Sequence, residues 1–124
     1  MPAMIPPLVQ IALGGAAGAS LRWLIGVQLA RPGFPVAVLA ANVSGSFAMG
    51  VLVVWLAARG LGAWQPLLLT GLLGGFTTFS AFSLETVTLL ERGSSLQAGL
   101  YVALSVGLSV GALAAGMALA RAAT

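Results

Sequence analysis

Four apolar stretches, each long enough to cross a lipid bilayer, take up almost all of this chain. They run from about Leu8 to Leu29, Pro35 to Ala58, Trp64 to Leu90 and Leu96 to Ala120. A membrane-spanning helix needs about 20 apolar residues, so 124 residues hold four spans and little else. The first stretch opens at Pro6-Pro7 and closes before Arg31-Pro32-Gly33; the second ends at Arg59-Gly60 and the fourth at Arg121. Ala17 and Ala19 are small enough to suit a signal peptidase. No Lys or Arg precedes the first run, however, and it continues past that point, so it is expected to be retained as a span. The expected fold is all-α: a single four-helix membrane domain over residues 1–124, with short connections rich in Gly, Pro and Ser.

Charge excludes most alternatives. Only seven residues are charged, five arginines and two glutamates, where a soluble domain carries about 25%. The net +3 is scattered singly along the chain. A nucleic-acid partner would need a clustered basic patch, so none is expected. The chain has no Cys, His or Lys. That removes thiol chemistry, the usual general base, the commonest metal ligand and Schiff-base chemistry. An enzyme is not expected.

The arginines are balanced. Arg31 and Arg92 fall in the connections between spans one and two and between spans three and four, hence on one side. Arg59 and Arg121 fall on the other. Orientation is set by a Lys/Arg excess on the cytoplasmic side, and here the count is two against two. The chain is therefore expected to insert in both orientations and to pair as an antiparallel homodimer. Gly14 with Gly18, Ser46 with Gly50, and Gly107 with Gly111 are small pairs at four-residue spacing. In lipid such pairs let helix backbones approach closely.

The third span is the most polar. Gly71, Gly74, Gly75, Thr77, Thr78, Ser80 and Ser83 all fall near its middle, and a Gly pair beside β-branched Thr predicts a broken helix. Freed backbone groups at that depth need protein or a water-filled cavity to satisfy them, and such breaks often mark ion sites. Phe76, Phe79 and Phe82 recur every three residues, as do Thr77, Ser80 and Ser83. The first set predicts an aromatic stripe whose positive ring edges can face a small anion; the second predicts a hydroxyl stripe beside it. Asn42, in span two, is costly in hydrocarbon unless hydrogen-bonded, so it either joins helices or lines a polar path. Tyr101, Ser105 and Ser109 share one face of span four.

Two ionisable groups fall within the spans. Arg22, near the end of span one, is expected to reach back to the interface as a structural anchor. Glu85 is an intramembrane carboxylate, a functional candidate unless it lies at the membrane edge. Glu91 and Arg92 read as solvated loop charges. With neutral donors, ring edges and no relay of carboxylates or histidines, passive conduction of an anion fits better than proton-coupled pumping.

Three motifs in order resemble the Fluc/CrcB fluoride channels. Gly14-Gly15-Ala16-Ala17-Gly18-Ala19-Ser20-Leu21-Arg22-Trp23 resembles their first-helix signature, and Asn42-Val43-Ser44-Gly45-Ser46-Phe47 their second. The segment from Gly74 to Glu85 resembles their third-helix motif, with Tyr101, Ser105 and Ser109 in step with the fourth. The resemblance implies a dual-topology homodimer in the cell inner (plasma) membrane, with two antiparallel pores exporting fluoride passively. It implies that Asn42 lines a polar vestibule and that Phe79 and Phe82 turn ring edges to the ion. Ser80, Tyr101, Ser105 and Ser109 would form the hydroxyl track, and Glu85 a carboxylate at the pathway's end. Main-chain carbonyls of Gly74 and Thr77 from both subunits would hold a structural Na⁺. Ala81 stands where the family commonly has Thr. A proton-coupled small multidrug exporter would need a carboxylate in its first helix, and none lies between Leu8 and Leu29.

Overall fold

The structure, a computed structural model, describes residues 4–124. Its four membrane-length helical spans are Pro7–Leu29, Val36–Ala58, Gly62–Glu91 and Ser95–Ala123. The chain is a multi-pass membrane protein. Helix is the form these sequences must take in lipid, because it satisfies every backbone N–H and C=O within the segment. Helix α1 is Pro7–Leu29, opened by a proline whose missing N–H costs nothing in the first turn. Helix α2 is Val36–Ala58, and the last helix, α5, is Ser95–Ala123.

The third span is built in two halves. Its first half, α3 (residues 62–76), begins as a 3₁₀ turn at Gly62–Trp64. It widens into a π-helix over Pro66–Leu73 and ends in one α-turn, Gly74–Phe76. Thr77 and Thr78 are then extended, with ψ of 156° and 125°. Helix α4, Phe79–Glu91, completes the crossing. The predicted break is therefore present. It also disrupts the predicted hydroxyl stripe, because three-residue spacing keeps side chains on one side only along an unbroken helix. Thr77 Oγ1 donates back to Leu73 O at 3.0 Å, and Ser83 Oγ to Phe79 O at 2.9 Å.

Two of the connections close in the same way. Gly60 and Gly93 adopt φ of +66° and +79°, the left-handed region open to glycine. Each then donates its N–H to the carbonyl one residue short of the helix end, Ala57 O and Leu90 O. The following residues, Leu61 and Ser94, donate to Leu56 O and Leu89 O. This Schellman pattern satisfies carbonyls the helix leaves unpaired. Next to the first of these turns, the Arg59 guanidinium stands 5.4 Å from the centre of the Trp55 ring.

The helices pack in two tight pairs. Against α1, the carbonyl oxygens of Leu67 and Leu72 occupy the space that a Cβ at Gly14 and Gly18 would fill. Between α2 and α5 the fit is reciprocal: Gly50 faces Leu113 O and Gly116 faces Phe47 O. Gly107 and Gly111, expected to make a similar contact, meet no atom of this chain within 4 Å. They sit on the outward face of α5, and Gly116, one turn further along, is the glycine that packs. One apolar cluster joins Phe82, Leu89, Ala98 and Tyr101, with Phe34, Val38 and Leu39 against it. The other joins Leu56, Leu69 and Leu73. Helix α4 leaves Phe79 76% exposed and Leu84 68% exposed.

Candidate functional site

The extended residues at 77–78 create the site. In a continuous helix, Thr78 N–H would donate to Gly74 O. Here it donates to Asn42 Oδ1 at 2.7 Å, while Asn42 Nδ2 donates to Thr78 O at 2.9 Å. One amide side chain thus clamps both backbone groups of the broken turn. Ala81 N–H would likewise serve Thr77 O, but donates to Thr78 Oγ1 at 3.1 Å, capping α4. The main-chain oxygens of Gly74 and Thr77 have therefore lost the amides a continuous helix would give them. Asn42 thus joins α2 to the break, and it also borders a cavity.

That cavity, of about 360 Å³, lies between α2, the break and α5. Its walls bring together Asn42, Phe79, Phe82, Ser105 and Ser109 among the residues singled out from sequence, with Thr77 at its edge. None of its lining residues carries a charge. The hydroxyl oxygens of Ser105 and Ser109 are buried with no hydrogen-bond partner among the described residues. Buried hydroxyls are rarely left so, and both border the cavity.

A line of rings leads away from it. The Phe79 and Phe82 centroids are 5.3 Å apart at 51°, and Phe82 lies 5.2 Å from Tyr101 at 44°. Tyr101 is fully buried and is held edge-on by Phe34 at 5.5 Å. Its hydroxyl donates to Glu85 Oε2 at 2.9 Å. Glu85 borders a second cavity, of about 320 Å³, with Arg31, Thr88 and Arg92. Tyr101 and Glu85 therefore stand beyond the first cavity, between it and the second. Phe76 is not part of the ring line: the break diverts it toward Gly45, where a Cβ would come within 3.0 Å of its ring.

Some expected positions shift. Ser80 is exposed and shares a 3.2 Å hydrogen bond with Thr78 Oγ1; it does not line the cavity with Ser105 and Ser109. Arg22, half-buried, anchors α1 to the third span. Its Nε donates to Gly75 O at 3.3 Å, another carbonyl released by the break, so the anchor it provides is to mid-span. Arg92 is exposed, as expected of a solvated loop charge, and it also borders the second cavity. Sequence reasoning missed Thr78 and Ser46 as lining residues. Thr78 was recognisable as a helix N-cap, whereas Ser46 carried only the signature of a small packing residue.

Residues 9–117 match a family described as CrcB-like protein, Camphor Resistance (CrcB). The chain is 63% identical over 119 residues to the fluoride-specific ion channel FluC of Roseobacter denitrificans, covering 92% of this chain and 94% of that one. It is 57% identical over 122 residues to the FluC of Ruegeria sp., covering 95% and 97%. With the FluC of Cereibacter sphaeroides the identity is 59% over 121 residues, again covering 95% and 97%.

Proposed function

The chain belongs to the CrcB family, and from that membership we propose that it is a fluoride-selective channel through which the ion leaves the cell passively. A member of a channel family, it is not an enzyme. The observation that carries the reading is the uncharged cavity with two unpartnered serine hydroxyls, beside a line of aromatic rings. Fluoride is small and strongly hydrated, so its passage needs donors that replace water without trapping the ion. Ser105 and Ser109 each have a hydroxyl to offer. Asn42 uses one N–H of its amide on Thr78 O and keeps the second for the cavity. The positive ring edges of Phe79 and Phe82 then carry the ion past the apolar stretch, toward Tyr101 and Glu85.

The same reading places the channel in the plasma membrane as an antiparallel homodimer with two pores. Phe79 supports the dimer: a ring 76% exposed, beside a cavity that carries Asn42 and two serine hydroxyls, would otherwise face lipid. Polar groups at that depth belong against protein or in a water-filled space. A second copy laid across this face closes the wall. The Gly74 and Thr77 carbonyls fit a structural Na⁺ shared between copies, since a hard cation takes oxygen ligands and these two have lost their helical amides. The ion would neutralise carbonyl dipoles converging at the dimer centre.

Efflux from liposomes read with a fluoride electrode tests the function. Phe82→Ile is expected to abolish fluoride efflux while leaving the dimer intact by size-exclusion chromatography. Wild-type efflux in that variant overturns the ring line as the pathway. Vesicles tight to fluoride but leaky to protons or organic cations would point instead to a proton-coupled exporter.

A further inference from the structure

The second cavity has no role in the dehydration chemistry above, yet it lies where that pathway ends. It is roofed by the loop that follows α1 and floored by the outer turns of α4, with Arg31 and Arg92 on its wall and Glu85 and Thr88 below. Arg31 and Arg92 are 61 positions apart in sequence (92 − 31) and belong to different connections. The fold brings them to one opening of about 320 Å³. An anion crossing this mouth meets the Glu85 carboxylate, which alone would repel it.

The backbone does not decide the sign of the field there. The C-terminal ends of α1 and α4 bring partial negative charge to this end of the bundle, and the N-termini of α2 and α5 bring partial positive charge that offsets it. Among the side chains that line the opening, two guanidiniums stand against one carboxylate, and Glu91, exposed beside Arg92, is not in the lining. Guanidiniums keep their charge at any physiological pH. The lining of the opening is therefore net cationic, directly outside the Tyr101–Glu85 contact.

We propose that Arg31 and Arg92 form an anion-gathering rim at this mouth, offsetting Glu85 and raising the local concentration of the permeating halide. The proposal rests on the reading of the chain as a fluoride channel. Charged rims act over the Debye length, which is about 30 Å at 0.01 M salt and about 10 Å at 0.1 M. Their effect on flux therefore falls with ionic strength, whereas a packing role for the same side chains is indifferent to salt.

Simple neutralisation would unbalance the two-against-two arginine count and disturb insertion, so the charge is best changed after assembly. The chain has no cysteine, and Pro32→Cys and Thr88→Cys, made separately on the lining of this opening with both arginines kept, each supply a single thiol. Each purified variant is reconstituted and divided, then treated with a cationic or an anionic methanethiosulfonate reagent. Fluoride efflux at sub-saturating fluoride is compared across impermeant-salt concentrations. At an ionic strength of about 0.01 M, each unit of charge is expected to change the flux by about threefold, faster with the cationic reagent. At about 0.5 M the two treatments should converge to within about 1.5-fold. Equal flux after both reagents at low salt overturns the rim. So does wild-type flux that is indifferent to ionic strength, a measurement that needs no variant. Wild-type vesicles with no fluoride flux at any salt overturn instead the channel reading on which the rim depends.

Discussion

At the residue scale, Asn42 and Tyr101 each do two things, and variants separate them. Asn42→Asp keeps an oxygen for Thr78 N–H but loses the donor to Thr78 O and places a negative charge on the cavity wall. Efflux should disappear, because the carboxylate repels the ion. Asn42→Ala leaves the half-buried Thr78 N–H unpaired, at about 1–3 kcal/mol, while Thr78 O, at the N-cap of α4, keeps the first helical amide. This variant is expected to unfold earlier in detergent as well as to lose flux. Tyr101→Phe retains the ring between Phe34 and Phe82 and removes only the hydrogen bond to Glu85. The dimer should survive with its efflux slowed, and a flux equal to wild type would show that the Tyr101–Glu85 contact lies off the path.

At the element scale, the two tight helix pairs and the break perform different work. The crossing of α2 with α5 depends on Gly50 and Gly116, each facing a carbonyl of the other helix. Gly50→Ala and Gly116→Ala are each expected to lower stability by about 1–3 kcal/mol, since a well-packed contact cannot absorb an added methyl. Their effects should not add, because both open the same crossing. Gly107→Ala meets nothing within 4 Å in its own chain and should leave the thermal midpoint of the fold unchanged or raised. The break needs both of its partners. Asn42 holds Thr78 and Arg22 holds Gly75 O, so α1 and α2 brace the third span from different sides.

At the scale of the whole molecule, the arginine balance is the feature to perturb. Arg31 and Arg92 border one opening, which supports their placement on one side, with Arg59 and Arg121 at the other end of the helices. Two arginines appended after Thr124 turn two against two into two against four. All copies should then share one orientation, the antiparallel pair should not form, and efflux should fall to background. Co-expression with a chain biased the opposite way is expected to restore it. Tags reached from both sides of the membrane in the unmodified protein, and from one side only in the appended one, are the direct readout.

The span boundaries were legible in sequence to within a few residues, because a bilayer imposes length and apolarity on any segment that crosses it. The break was legible too: Gly74-Gly75 beside Thr77-Thr78 is poor helix wherever it is placed. Which glycines pack was not, since Gly14, Gly50 and Gly107 look alike in sequence and differ only in what another helix brings against them. Nor was the fate of the hydroxyls. Ser80, Ser83, Ser105 and Ser109 are the same side chain, and the break together with the α2–α5 crossing leaves only the last two unpartnered at the cavity. Sequence periodicity describes one helix at a time. The partners of Asn42, the turn of Arg22 toward mid-span and the meeting of Arg31 with Arg92 are contacts between segments, and only the packed tertiary structure decided them.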